Sequence, residues 1–194
     1  MKKYVRLLIY LVLFSLVIYA FIYLGKKDFG SASKLSDSER FKEDYNMVGD
    51  NNFKYVFGSN ALGVMKNKTG IIFFSTPNNE YSNYFAKYLN EVLYEYDIKN
   101  CYYYNILKDR ANYTKYYREI EGLLSNYLYR NDNGVPRLNT PSVVFIYNGN
   151  IMHYIDDTSV IRNNVTPNLY WNEENINIFK DKLRYYLSEV NYNE

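Results

Sequence analysis

The 194-residue chain has one cysteine and one histidine, Cys101 and His153. A lone thiol cannot form an internal disulfide or a Cys-x-x-Cys redox pair. One Cys with one His cannot supply the ligands of a zinc-type site either, so no metal and no cofactor are expected. Charge of one sign is also lacking. Setting aside Lys2, Lys3 and Arg6 from the 23 basic residues leaves 20 against 21 acidic ones. A domain so close to neutral is a poor binder of phosphate backbones, so no nucleic-acid partner is expected. Tyrosine is abundant, at 25 residues beside a single tryptophan. With many Asn, Lys and Ile, this reads as the composition of an AT-rich bacterial genome rather than as a set of stacking surfaces. An apolar content of 47% over this length is enough for one folded domain with a real core.

Leu7 to Leu24 reads LLIYLVLFSLVIYAFIYL, 18 residues without a charge. As a helix the run would reach roughly 27 Å, just enough to cross a bilayer. It is read as an N-terminal transmembrane helix or signal anchor over residues 1–25. Lys2, Lys3 and Arg6 before it favour a cytoplasmic amino terminus, against Lys26 and Lys27 on the far side. A cleaved signal peptide with small residues at Ser31 and Ser33 is the rival reading. Residues 26–52 are polar, rich in Ser and Asp and without strong periodicity, and read as a linker. The folded domain is expected over 53–194, on the outer side of a cell membrane that it crosses once.

Within that domain the pattern alternates. Phe53 to Phe57 suggests a strand, and the SNALGVMKN that follows suggests a short helix capped by Ser59 or Asn60. Ile71 to Ser75 is an apolar strand opened by Gly70. Tyr81, Tyr84, Phe85, Tyr88, Leu89, Val92, Leu93 and Tyr96 recur at helical steps, with Asn83, Lys87, Asn90, Glu91 and Glu95 on the other side. A strand over about Ile98–Ile106 and a helix through Tyr116, Tyr117, Ile120, Leu123, Leu124, Tyr127 and Leu128 come next. TPSVVFIYNGNIMHYID then reads as a hairpin turning at Asn148-Gly149, a dipeptide suited to positive φ. Asn172 with Glu173 and Glu174 starts a last helix, with Ile176, Phe179, Leu183, Tyr186, Leu187 and Val190 on its apolar face. Strand–helix–strand units followed by a hairpin predict an α/β fold, a mixed sheet with helices on both faces.

The residues that carry a resemblance are Thr69-Gly70-Ile71-Ile72-Phe73-Phe74, Pro77, Leu89-Asn90-Glu91-Val92, Thr140-Pro141-Ser142-Val143-Val144-Phe145 and Asn148-Gly149. In this order they resemble a thioredoxin-like domain of the membrane-tethered or secreted type found in low-GC Gram-positive bacteria. They also resemble bacteriocin-transport accessory proteins. The resemblance covers nearly all of 53–190 and implies a thioredoxin-like fold with a five-stranded mixed sheet. It also implies a cis Thr140-Pro141 peptide opposite the turn before the second helix.

Counting back from Leu89-Asn90, the family's two redox cysteines fall on Asn79 and Ser82, the ends of Asn79-Glu80-Tyr81-Ser82. The buried acid that thioredoxins often carry falls on Phe73. Disulfide exchange needs a thiolate and a resolving thiol, so the resemblance implies a degenerate site with no catalytic residues. What it leaves is a binding surface of Thr76, Pro77, Asn78, Tyr81, Thr140 and Pro141, with an extended polypeptide or a membrane-protein partner as ligand. The alternatives are an enzyme of the thiol class using Cys101, and a purely structural surface protein. Cys101, alone on its strand, is expected to be a buried inert thiol.

Overall fold

The computed structural model describes residues 14, 15, 19, 35–77, 79–156 and 165–193. The chain divides into two units, Met1–Leu35 and Ser36–Glu194, and the sheet with the helices that cover it belongs to the second. The apolar run Leu7–Leu24 lies almost wholly outside the described residues. Among those described, no helix is long and apolar enough to cross a membrane.

GIIFFS, strand β2 (Gly70–Ser75), is buried at every position. Successive side chains of a strand point to opposite faces, so a strand covered on both faces must be apolar throughout. Ile71 and Phe73 face one core; Ile72 and Phe74 face the other. On one flank β2 pairs in parallel with β3 (Cys101–Asn105), which pairs in parallel with β1 (Phe53–Tyr55). On the other flank it pairs antiparallel with β4 (Ser142–Tyr147), which turns into β5 (Asn150–Ile155). The result is a five-stranded mixed sheet in the order β1-β3-β2-β4-β5. The hairpin turns as its sequence predicts, with Asn148 at φ 49° and Gly149 at φ 75°. A side chain at Gly149 would collide with the Lys66 carbonyl, which packs directly against the turn.

Helices cover both faces. In chain order they are α1 (Asp37–Tyr45), α2 (Gly58–Asn67), α3 (Glu80–Glu95), α4 (Leu107–Ala111), α5 (Lys115–Leu123), α6 (Pro167–Tyr170) and α7 (Glu173–Ser188). Phe41 and Tyr45 of α1, Phe85, Leu89 and Val92 of α3, Trp171, and Phe179, Leu183 and Leu187 of α7 share the core of Ile71 and Phe73. Ala61, Leu62, Val64 and Met65 of α2, with Tyr117 and Ile120 of α5, fill the other core.

Four expectations are corrected. The segment 26–52 is not a tether throughout, because Asp37–Tyr45 is helical and buries Phe41 and Tyr45 completely. The physical reason is a capping box: the Glu39 N–H donates to Ser36 Oγ at 3.2 Å, and the Ser36 N–H donates to Glu39 Oε2 at 2.8 Å. The loop after α1 is then stitched down by Asn51 Nδ2 to the Ser38 carbonyl at 3.0 Å and Asn52 Nδ2 to the Ile98 carbonyl at 2.7 Å. Second, α2 begins before Ser59 and Asn60, with Phe57 as N-cap and no side-chain cap bond. Third, the strand expected over Ile98–Ile106 is shorter, Cys101–Asn105, with α4 starting at Leu107. Fourth, Asn90 is not on a solvated face of α3. It is nine-tenths buried and donates to the Asp50 carbonyl at 3.1 Å, because α1 and its following loop pack over that face.

Candidate functional site

Strand register decides what meets at the end of the sheet. Phe74 pairs antiparallel with Ser142, so the carboxyl end of β2 and the amino end of β4 share one edge. Thr76 and Pro77 leave β2 there, while Thr140 and Pro141 enter β4. The Thr140-Pro141 peptide is cis. Thr76 and Pro141 are buried, whereas Pro77 and Thr140 are half-buried. Asn78 lies outside the described residues.

Asn79 and Ser82 lie at the start of α3, and only Asn79 has a capping role there. Asn79 is the N-cap: its Oδ1 accepts from the Tyr81 N–H at 3.0 Å, and its carbonyl accepts from the Asn83 N–H at 3.2 Å. Ser82 is wholly buried, and its Oγ has no hydrogen-bond partner. Tyr81 is half-buried. Its hydroxyl donates to the Val165 carbonyl, and its ring meets Tyr170 edge-on at 6.2 Å. Tyr84 donates to Asn168 Oδ1. The segment 165–170 therefore lies against the first turns of α3, contacts that sequence reasoning did not anticipate.

The chemistry open to these groups is narrow. His153 sits on β5 opposite Phe145, stacks flat on Tyr186 at 3.7 Å and bonds Glu189. Those contacts hold it on the β5–α7 side of the sheet and assign it no part at Ser82. Phe73 is buried and stacks on Phe85 at 5.5 Å, so an aromatic ring fills the place where the resemblance puts an acid. Cys101 is fully buried, and desolvation pushes its thiol up, away from the reactive thiolate. Among the described residues, no group of three His, Cys, Asp or Glu side chains could hold a metal ion.

Among the described residues, grooves elsewhere on the unit include the following pair. One, about 460 Å³, runs between the carboxyl end of α1 and α3, with Met47, Val48, Asn83, Tyr84 and Asn90 on its walls. The other, about 500 Å³, lies where β1 and β3 end, with Arg40, Tyr55, Phe57, Leu107 and Lys108. Neither is lined by Thr76, Pro77, Tyr81, Thr140 or Pro141. The α1 side of the first groove escapes a periodicity reading; the Ser36-x-x-Glu39 box is the signal in the sequence that reveals it. No protein-family model matches the chain, and no curated protein matches it.

Proposed function

We propose that this protein is a membrane-anchored, extracytoplasmic thioredoxin-like module that has lost disulfide chemistry and binds an extended polypeptide or a partner in the same membrane. The strand order β1-β3-β2-β4-β5, with β4 alone running opposite to the other four strands, supports the thioredoxin-like assignment. The observation that supports the binding role is the Phe74–Ser142 pairing, by which the chain leaves β2, in the turn toward α3, at the same end of the sheet where it enters β4. A backbone at the edge of that turn can pair with an extended chain, which uses main-chain groups and not nucleophiles. The anchor rests on the uncharged run Leu7–Leu24. The burial of Cys101 speaks against the thiol-enzyme alternative.

A photo-crosslinking residue placed at Thr140 of the full chain, in its own membrane, tests the site. Polypeptide adducts at Thr140 that are absent when the crosslinker is at exposed Glu174 are expected; equal labelling at both positions overturns the reading. Purified protein is also expected to reduce no protein disulfide above the buffer rate.

A further inference from the structure

The face at the carboxyl ends of β1 and β3 combines exposed apolar and cationic side chains. Phe57 is 83% exposed and Leu107 54%, and both stand on the walls of the groove there. Tyr113 and Tyr116 are exposed as well, and Tyr116 lies against Gly58, next to Phe57. A contiguous group of this kind marks an interaction surface. Cations sit among these side chains. Arg40, whose guanidinium lies over the Tyr55 ring at 4.1 Å, and Lys108 line the groove, Arg110 is exposed on α4, and Arg118 stands over the Tyr113 ring at 5.6 Å. The neighbouring acids are turned to inner partners. Asp37 accepts from the Tyr55 N–H at 3.1 Å, Asp44 from the Tyr55 hydroxyl at 2.6 Å, and Asp109 from the hydroxyls of Tyr104 and Thr114. Glu119 is bonded to Lys66 at 2.7 Å, and Glu43 is exposed on α1 but does not line the groove.

Protein–protein interfaces are depleted in charge, lysine included, at their centres. A bilayer surface calls for the arrangement seen here. Apolar tips enter the headgroup–acyl boundary by about 5–10 Å, tyrosines sit at headgroup level, and cations beside them reach the phosphates. The proposed anchor supplies the bilayer: only residues 25–35 lie between Leu24 and Ser36, and they extend to at most about 40 Å. We infer that the face of Phe57, Leu107, Arg40 and Lys108 docks on an anionic lipid bilayer, with Phe57 and Leu107 entering it and Arg40, Lys108 and Arg110 meeting lipid phosphates. The inference rests on the membrane-anchored reading and not on the Thr140 site.

The test uses the full chain reconstituted in vesicles, with an environment-sensitive fluorophore on Ala111→Cys, an exposed position on the groove wall; Cys101 is buried and stays unlabelled. The vesicles are phosphatidylcholine, alone or with about a third phosphatidylglycerol, and carry brominated acyl chains as quencher. Quenching at position 111 is expected in the anionic vesicles, with at least roughly fivefold less in the zwitterionic ones and a loss in about 1 M NaCl, where the screening length is about 3 Å. The same label on Ile178→Cys, exposed on α7, is expected to stay unquenched. Lys108→Gln is expected to lower the ratio of docked to undocked protein about fivefold, the effect of one cation near an anionic surface. Phe57→Ser, at an exposed position whose side chain makes no cap bond, is expected to lower it about tenfold. Absence of quenching, equal quenching at position 178, equal quenching in both lipids, or parental behaviour of both variants would each overturn the inference. Flotation with the vesicles in about 1 M NaCl reads the anchor separately. A chain that floats without quenching keeps the anchor and loses the docked face, and a chain that does not float loses both.

Discussion

Asn79 and Ser82 show what a helix start keeps when it carries no thiols. Asn79 caps α3 through its side-chain oxygen, so Asn79→Ala is expected to lower stability by about 1 kcal/mol, while Asn79→Ser, another good cap, retains most of it. A denaturant melt of each variant measures the difference. Ser82 Oγ makes no hydrogen bond in its buried position, so a thiol there breaks none. Residues three apart in a first turn lie on one face, and a disulfide needs Cα atoms within about 4.4–6.8 Å. The double variant Asn79→Cys, Ser82→Cys is therefore expected to lose two thiol equivalents on mild oxidation, while Cys101 stays unreactive until the protein unfolds. The helix dipole favours a thiolate at position 79. Mass spectrometry of the oxidised protein reads the bond directly, and an unpaired product would remove the alignment of these positions with a redox pair.

Among the elements, α1 and α7 illustrate two ways of attaching a helix to the sheet. Helix α1 is held by aromatic packing: Phe41 stacks on Phe53 at 4.0 Å and on Tyr45 at 4.3 Å, and the Tyr45 and Tyr103 hydroxyls meet at 3.0 Å. Truncating such a ring leaves a cavity, so Phe41→Ala is expected to cost about 3–5 kcal/mol and Phe41→Leu clearly less. The end of α7 is held differently, through Glu189 bonded to His153, whose ring lies on Tyr186. The bond to His153, then that to Tyr185, holds the Glu189 carboxyl below its ordinary range. A depressed carboxylate contributes stability that is present above the unfolded-state value and lost as pH falls through the folded-state value. The carboxylate's part of the clasp should therefore be lost as pH falls below about 4.5. Backbone amide signals near Ser188 followed from pH 7 to pH 3 should show this, and Glu189→Gln should flatten the profile.

Across the whole molecule, the legible parts were those whose pattern is strong and local. Ile71–Phe74 reads as a buried strand from composition alone, Asn148-Gly149 carries its own turn, and α3 and α7 show helical periodicity over four turns each. The placing of Thr140 beside the carboxyl end of β2 came from the family resemblance, because the hairpin pattern fixes only how β4 pairs with β5 and not where β4 joins the sheet. Helix α1 was hidden because only Phe41 and Tyr45 of its nine residues are buried, too few for a periodicity to stand out among charges. With α1 hidden, Asn83 and Asn90 read as solvated, and the groove they line could not be seen. The boundary this implies is testable by shortening the chain. A chain beginning at Ser36 keeps the capping box and both aromatic anchors, and should melt at the temperature of the full-length unit. One beginning at Phe53 strips the cover from Phe53, Phe73 and Tyr103, all of which meet Phe41 or Tyr45. Losing two large core rings at about 3–5 kcal/mol each, against a total stability of about 5–15 kcal/mol, removes much or all of the margin. That shorter chain is expected to lose its near-ultraviolet circular dichroism and its cooperative thermal transition while keeping helical signal in the far ultraviolet. If it melted cooperatively at the same temperature as the chain from Ser36, the segment before Phe53 would be a tether after all, and α1 would have no part in the core.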